Sequence, residues 1–93
     1  MRHIESSGNF RKQLKLMLRR GKSESEIKSV IVMLAEDQAL PPKYKDHQLT
    51  GNFGGFRDCH IQPDWLLIYK KQDSDDGCGI LRLEATGTHS DLF

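Results

Sequence analysis

Residues 56–71 read FRDCHIQPDWLLIYKK, and their periodicity decides the fold. Phe56–Ile61 alternates between polar and apolar positions, the pattern of a strand buried on one side. Gln62-Pro63-Asp64 supplies turn chemistry. Trp65–Lys71 is rich in aromatic and branched residues, as a second strand requires. Cys59 and Ile61 fall on one face of the first strand; Phe56, Asp58 and His60 fall on the other. If the apolar face is buried, Asp58 and His60 look outward together, roughly 6–7 Å apart along the strand.

Outward from this hairpin, Gln72–Gly79 (QDSDDGCG) reads as an exposed acidic loop. Ile80–Thr86 then predicts a third strand, with Leu81, Leu83 and Ala85 toward the core and Arg82 and Glu84 on the open face. Towards the N-terminus, Pro41-Pro42 ends anything helical by Leu40. Ser23 opens a helix with a Ser-x-x-Glu capping pattern through Glu26, and Ile27, Val30, Ile31 and Leu34 form its apolar stripe. Asn9–Arg20 predicts an earlier helix with Phe10, Leu14, Met17 and Leu18 on one side. Ser7 or Asn9 can cap it, and Gly21 can end it. The short link at Gly21–Lys22 favours a helical hairpin. Arg2–Ser6 is a candidate edge strand. The sum is one domain over residues 1–93, of class α+β, with two N-terminal helices packed on one face of a twisted antiparallel sheet.

Composition narrows the function. Apolar residues are 37% of a 93-residue chain, enough for a single modest core. The opening MRHIESSGNF is polar from the start, which does not read as a secretory leader, and no run approaches a membrane span. A cytoplasmic protein is expected. In that setting Cys59 reads as a core thiol and Cys78 as a loop residue rather than as a disulfide pair. The net charge is +1, but its distribution is uneven. Residues 1–22 hold seven basic residues against Glu5 alone; the remainder holds seven against twelve acidic. Arg11, Lys12, Lys15, Arg19 and Arg20 lie mainly off the apolar stripe of the first helix and could meet phosphate. A solvated helix face is the competing reading.

A sheet face carrying Asp58, His60, Arg82 and Glu84 could be a site, although polar groups are also what a solvent-facing sheet displays. His3 reads as a surface residue near the N-terminus. His47, His60, Asp64 and His89 could in principle hold a metal, but no two of them stand at a recognised zinc spacing, so neither metal nor other cofactor is expected.

Several blocks from Leu40 onward carry a more specific signal. They are Tyr44-Lys45-Asp46-His47, Gly51 to Gly55, Arg57-Asp58-Cys59-His60, Pro63-Asp64-Trp65 and the ending Thr86-Gly87-Thr88-His89-Ser90-Asp91-Leu92-Phe93. In this order they closely resemble the YafQ branch of the RelE superfamily of bacterial toxins. The resemblance implies two helices against a twisted antiparallel sheet. It also implies a toxin of a type II toxin–antitoxin system that enters the ribosomal A site, cuts messenger RNA and is blocked by a cognate antitoxin. Carried over by position, the catalytic set would be His47, Asp58, His60, Asp64, His89 and Phe93. The loop Gln72–Gly79 departs from the family, being longer and more acidic than expected.

These residue types suit RNA cleavage. The ribose 2′-OH is the nucleophile, so the protein must supply a base, an acid and stabilisation of the charged phosphate. Histidine serves either proton role near neutral pH without a metal. His60 and His89 are the expected proton-transfer pair, assisted by His47, with Asp58 and Asp64 as orienting groups. Phe93 is suited to stacking on a base, and Arg82 to stabilising phosphate. The alternatives are a non-catalytic RNA- or DNA-binding module and an inactive domain that only titrates an antitoxin.

Overall fold

The computed structural model describes residues 1–93. In chain order the elements are β1 (His3–Ser6), α1 (Gly8–Arg19), α2 (Glu24–Ala35), β2 (His47–Gln48), β3 (Arg57–Gln62), β4 (Trp65–Gln72), β5 (Ile80–Gly87) and α3 (His89–Leu92), with short 3₁₀ turns at Pro42–Tyr44 and Gly51–Phe53. The five strands form one sheet in the order β1-β5-β4-β3-β2. The α+β class and both long helices agree with the sequence reading. No helix is long and apolar enough to cross a membrane.

Local chemistry explains the helix ends. The Ser7 hydroxyl accepts from the Phe10 amide at 2.9 Å and so caps α1. Gly21 follows its C-terminus at φ +91°, a conformation that costs glycine little. Ser23 caps α2 by accepting from the Glu26 amide at 3.4 Å. Glu26 does not complete the box; its carboxylate accepts instead from Gln62 on β3 at 2.6 Å. Both helices lay their stripes on the same sheet face. Phe10, Met17, Ile27, Val30 and Leu34 pack there with Cys59, Ile61, Trp65, Leu67, Tyr69, Leu81 and Leu83.

Three details differ from the sequence expectation. First, the sheet is mixed: β1 runs parallel to β5, pairing His3 with Ile80 through Ser6 with Leu83. A parallel pair needs a long crossover, and the two helices and three strands between β1 and β5 supply it. Second, Ala85 does not share a face with Leu81 and Leu83. Ile68 pairs with Ala85 and Tyr69 with Leu83, so Glu84 is an extra residue and the parity of β5 switches there. The Glu84 carbonyl displaced from the ladder accepts from the Ser7 hydroxyl at 2.7 Å. Third, the face away from the helices is not open at its centre. Asp58, Leu66, Ile68 and Ala85 are all buried on it. Phe53 and Leu92 flank a small cavity at Ala85, and a side chain on Gly87 would strike Asp91 of α3. The chain around Gly51–Phe53 and the C-terminal turn thus form a second, smaller cover over the sheet.

Candidate active site

The site lies on this second face. β2 is only two residues long, but its register sets His47 opposite Asp58, while His60 sits two residues further along β3, opposite Leu66 of β4. Asp58 is 3% exposed, beneath the two imidazoles. One of its carboxylate oxygens lies 3.8 Å from His47 Nδ1 and 3.8 Å from His60 Nε2, and has no hydrogen-bond donor of its own. Burial pushes the Asp58 carboxyl above its ordinary value, against the opposing pull of His47 and His60. The sequence placed Asp58 on an open face; the loop bearing His47 and the neighbouring strands close over it.

His89 reaches the same place from the other side. Its ring centre lies 5.5 Å from that of His60, edge to face, and the His60 and His47 centres lie 6.4 Å apart. Asp64, in the turn between β3 and β4, accepts from His89 twice, from the backbone amide at 3.1 Å and from Nδ1 at 2.7 Å. The hydrogen bonds from His89 hold Asp64 below the usual carboxylate range. Because the carboxylate accepts, Nδ1 carries the proton and Nε2 is left without a hydrogen-bond partner. The same logic applies to His47, whose Nδ1 lies 2.8 Å from the Lys45 carbonyl, a group that can only accept. Two imidazoles therefore present free Nε2 atoms. His60, more enclosed, stands between them.

The positioning of these groups rests on residues that the sequence reading passed over. Asp46 receives hydrogen bonds from Tyr69 on β4 and from Arg57 on β3, which tie down the loop immediately before His47. Lys45 adopts φ +48°, turning its carbonyl toward the His47 ring. The adjacency of Asp46 to His47 is a visible signal, but its partners are 11 and 23 residues away. On the other side, Thr88 and Asp91 form a reciprocal capping box, and Arg20 binds Asp91 at 2.8 Å. This docks the turn that carries His89 onto the end of α1. Phe93 is 63% exposed and meets Phe53 edge to face with ring centres 5.7 Å apart. Phe53 sits in a glycine-rich stretch that gave it no recognisable role.

The basic residues scatter more than the linear pattern suggested. Lys12, Lys15 and Arg19 are exposed on α1. Arg11 donates to the Ser6 carbonyl at 2.6 Å, and Arg20 is engaged with Asp91. Arg82 does lie on the site face, paired in register with Lys70, but it contacts Glu84 at 3.4 Å. Lys70 is four residues along β4 from Leu66, the partner of His60, so Arg82 stands roughly 13 Å along the sheet from the histidines. Nearer cations are Lys43 and Lys45. With Tyr44, Gln62 and His60 they line a cavity of about 440 Å³ between α2 and β3.

Comparison with known proteins agrees with this architecture. Residues 2–93 match the family model described as the bacterial toxin of type II toxin–antitoxin system, YafQ. The mRNA interferase toxin YafQ of Escherichia coli strain K12 is 44% identical over 93 residues, spanning 99% of this chain and 96% of that protein. The crystal structure of YafQ from E. coli strain BL21(DE3) superposes with a TM-score of 0.89 at 42% identity, covering 100% of this chain and 99% of the other. The toxin chain in the crystal structure of the E. coli DinJ–YafQ complex gives 0.87 at 44% identity, with the same coverage. The full-length match, together with a fold shared from end to end, shows that this chain belongs to the YafQ family of toxins of bacterial type II toxin–antitoxin systems.

Proposed function

We propose that the protein is an endoribonuclease that cuts messenger RNA on the ribosome by metal-independent acid–base chemistry. The observation that carries this reading is the row of three imidazoles, 6.4 and 5.5 Å between neighbouring rings, with Nε2 of His47 and His89 free and Asp58 buried beneath. The E. coli relative bears the name mRNA interferase, which supports the same chemistry here.

In the reaction one imidazole removes the proton from a ribose 2′-OH. The oxygen attacks the adjacent phosphorus, the P–O5′ bond breaks, and a second imidazole protonates the departing 5′-oxygen. The products are a 2′,3′-cyclic phosphate and a 5′-hydroxyl, with no net change in protons. His60 and His89 form the proton-transfer pair, and His47 assists. Asp64 fixes the His89 tautomer. Asp58 supports the imidazolium that forms above it. Phe93 stacks on a base of the substrate, and the exposed α1 cations Lys12, Lys15 and Arg19 meet ribosomal RNA. A DinJ-like antitoxin is the expected partner, as in the E. coli complex. Action on ribosomes puts the protein in the cytoplasm.

Primer extension on RNA from cells expressing the protein, with reporters that carry or lack a start codon, tests the proposal. Cuts within codons of the translated reporter alone are expected. Equal cutting of both reporters would remove ribosome dependence. Binding to ribosomes without any cut would favour a non-catalytic module.

A further inference from the structure

The loop between β4 and β5 lies at the opposite end of the strands from the histidine cluster. Along β4, Lys71 and Gln72 at the loop lie five and six residues from Leu66, beside His60, or roughly 20 Å along the sheet. There the loop meets β1. His3 Nε2 lies 2.6 Å from one oxygen of Asp76, and the other oxygen of Asp76 accepts from the Cys78 amide at 3.0 Å. The ring nitrogen of His3, a carboxylate oxygen of Asp76 and the sulfur of Cys78 all lie within 4.8 Å of one another, and all three residues are exposed. Each of His3 and Cys78, read alone in the sequence, is an ordinary surface residue.

The geometry points to a surface site for a divalent transition-metal ion, zinc in the first instance, held by His3, Asp76 and Cys78. Nitrogen, oxygen and sulfur donors at ~2.0–2.3 Å are the usual zinc set, and three protein ligands leave a fourth position for water. A tetrahedral ion needs these atoms ~3.3–3.8 Å apart. The His3–Asp76 contact, at 2.6 Å, would therefore open by under an ångström, and the thiol, already within 4.8 Å of both, would close by no more than about 1.5 Å.

The loop is already held close to this arrangement. Ser74 donates to Asp76 and accepts from the Gly79 amide at 2.8 Å. Gly79 sits at φ +85° with Arg2 packed where its side chain would be; Arg2 in turn donates to the Gln72 carbonyl at 2.8 Å. The His3 amide donates to the Gly79 carbonyl at 2.9 Å. Metal binding releases the thiol proton of Cys78 to solvent and moves the His3 proton from Nε2 to Nδ1, so that two coordinate bonds replace the His3–Asp76 hydrogen bond. The ion would clamp the edge strand β1 to the loop.

The test uses the full chain under a non-thiol reductant, with cobalt(II) as the spectroscopic probe and zinc as competitor. Cys59 is fully buried, so a cobalt–thiolate charge-transfer band reports Cys78. One equivalent of cobalt should produce the band, zinc should bleach it, and zinc should protect Cys78 from alkylation. Cys78→Ser should abolish the band, while His3→Ala and Asp76→Asn should each weaken binding by at least the about 10–100-fold seen for losing a supporting partner. All three positions are exposed, so the variants should keep the wild-type circular dichroism. The site is excluded if no band appears, or if His3→Ala and Asp76→Asn bind cobalt as tightly as the wild type, because a lone thiol would then be the whole of the interaction. The clustered imidazoles near Asp58 carry no thiol and cannot mimic the signal.

Discussion

Asp64 takes two hydrogen bonds from a single residue, His89: one from the backbone amide at 3.1 Å and one from the ring Nδ1 at 2.7 Å. The first fixes where α3 begins and the second fixes the tautomer of the imidazole. Asp64→Asn should therefore act through His89. The amide can present its NH₂ group to Nδ1 and invert the tautomer, taking away the free Nε2. A fall in cleavage rate of about 10-fold or more is expected, with substrate binding little changed. Single-turnover rates set beside binding constants check this. The carboxylate of Asp64 is held below its unfolded value, so its contribution to stability is present above the ordinary carboxylate pKa and is lost as pH falls through the folded value.

His60→Ala and His89→Ala should each cost about 10²-fold or more in cleavage. His89 is half exposed, so its loss should cost on the order of 1 kcal/mol or less of stability, whereas the largely enclosed His60 should cost somewhat more, about 1–2 kcal/mol. Thermal melts and single-turnover cleavage separate the two effects. A His60 variant that melts far lower while its folded fraction still cleaves would make His60 structural.

Asp58→Asn should raise the melting temperature at neutral pH and lower activity. The folded pKa of Asp58 is pushed above its unfolded value by burial, so the folded state binds the proton more tightly and ionisation works against folding. As pH rises from the unfolded pKa through the folded one, the wild type loses stability that the neutral asparagine keeps. The two proteins should converge at low pH, below the unfolded carboxylate pKa. Melts at several pH values, paired with cleavage assays, check both halves. A variant less stable than the wild type at neutral pH would contradict the burial argument.

Arg20 and the other α1 cations should part company. Arg20→Ala frees Asp91, whose carboxyl is held at about 2 chiefly by its hydrogen bond with Arg20, and should loosen the turn bearing His89. Activity should fall while the salt dependence of ribosome binding stays the same. The triple replacement of Lys12, Lys15 and Arg19 by Ala should do the reverse, reducing the slope of log affinity against log salt by about two to three. In the wild type the Asp91 contribution is full above pH 4 and lost as pH falls toward 2, so acid should release α3 before the core unfolds.

Periodicity and caps made the two helices, the hairpin at Gln62–Trp65 and the burial of Cys59 legible in the linear chain, because these depend on neighbours within a turn or a strand. The motif blocks named the six catalytic candidates, and five of them, His47, Asp58, His60, Asp64 and His89, converge in the fold. Tertiary structure decided what depends on distant partners. The parity of β5 changes at Glu84 because Ser7, 77 residues away, takes up the displaced carbonyl. Asp58 is buried because the two-residue strand β2 pairs alongside β3 and sets His47 against its carboxylate. Arg20 serves Asp91, 71 residues on, rather than a free basic face. His3 finds Asp76 only because β1 pairs with the last strand. In each case the contact joins side chains whose separation along the chain leaves no periodic trace, so only the folded register brings them together.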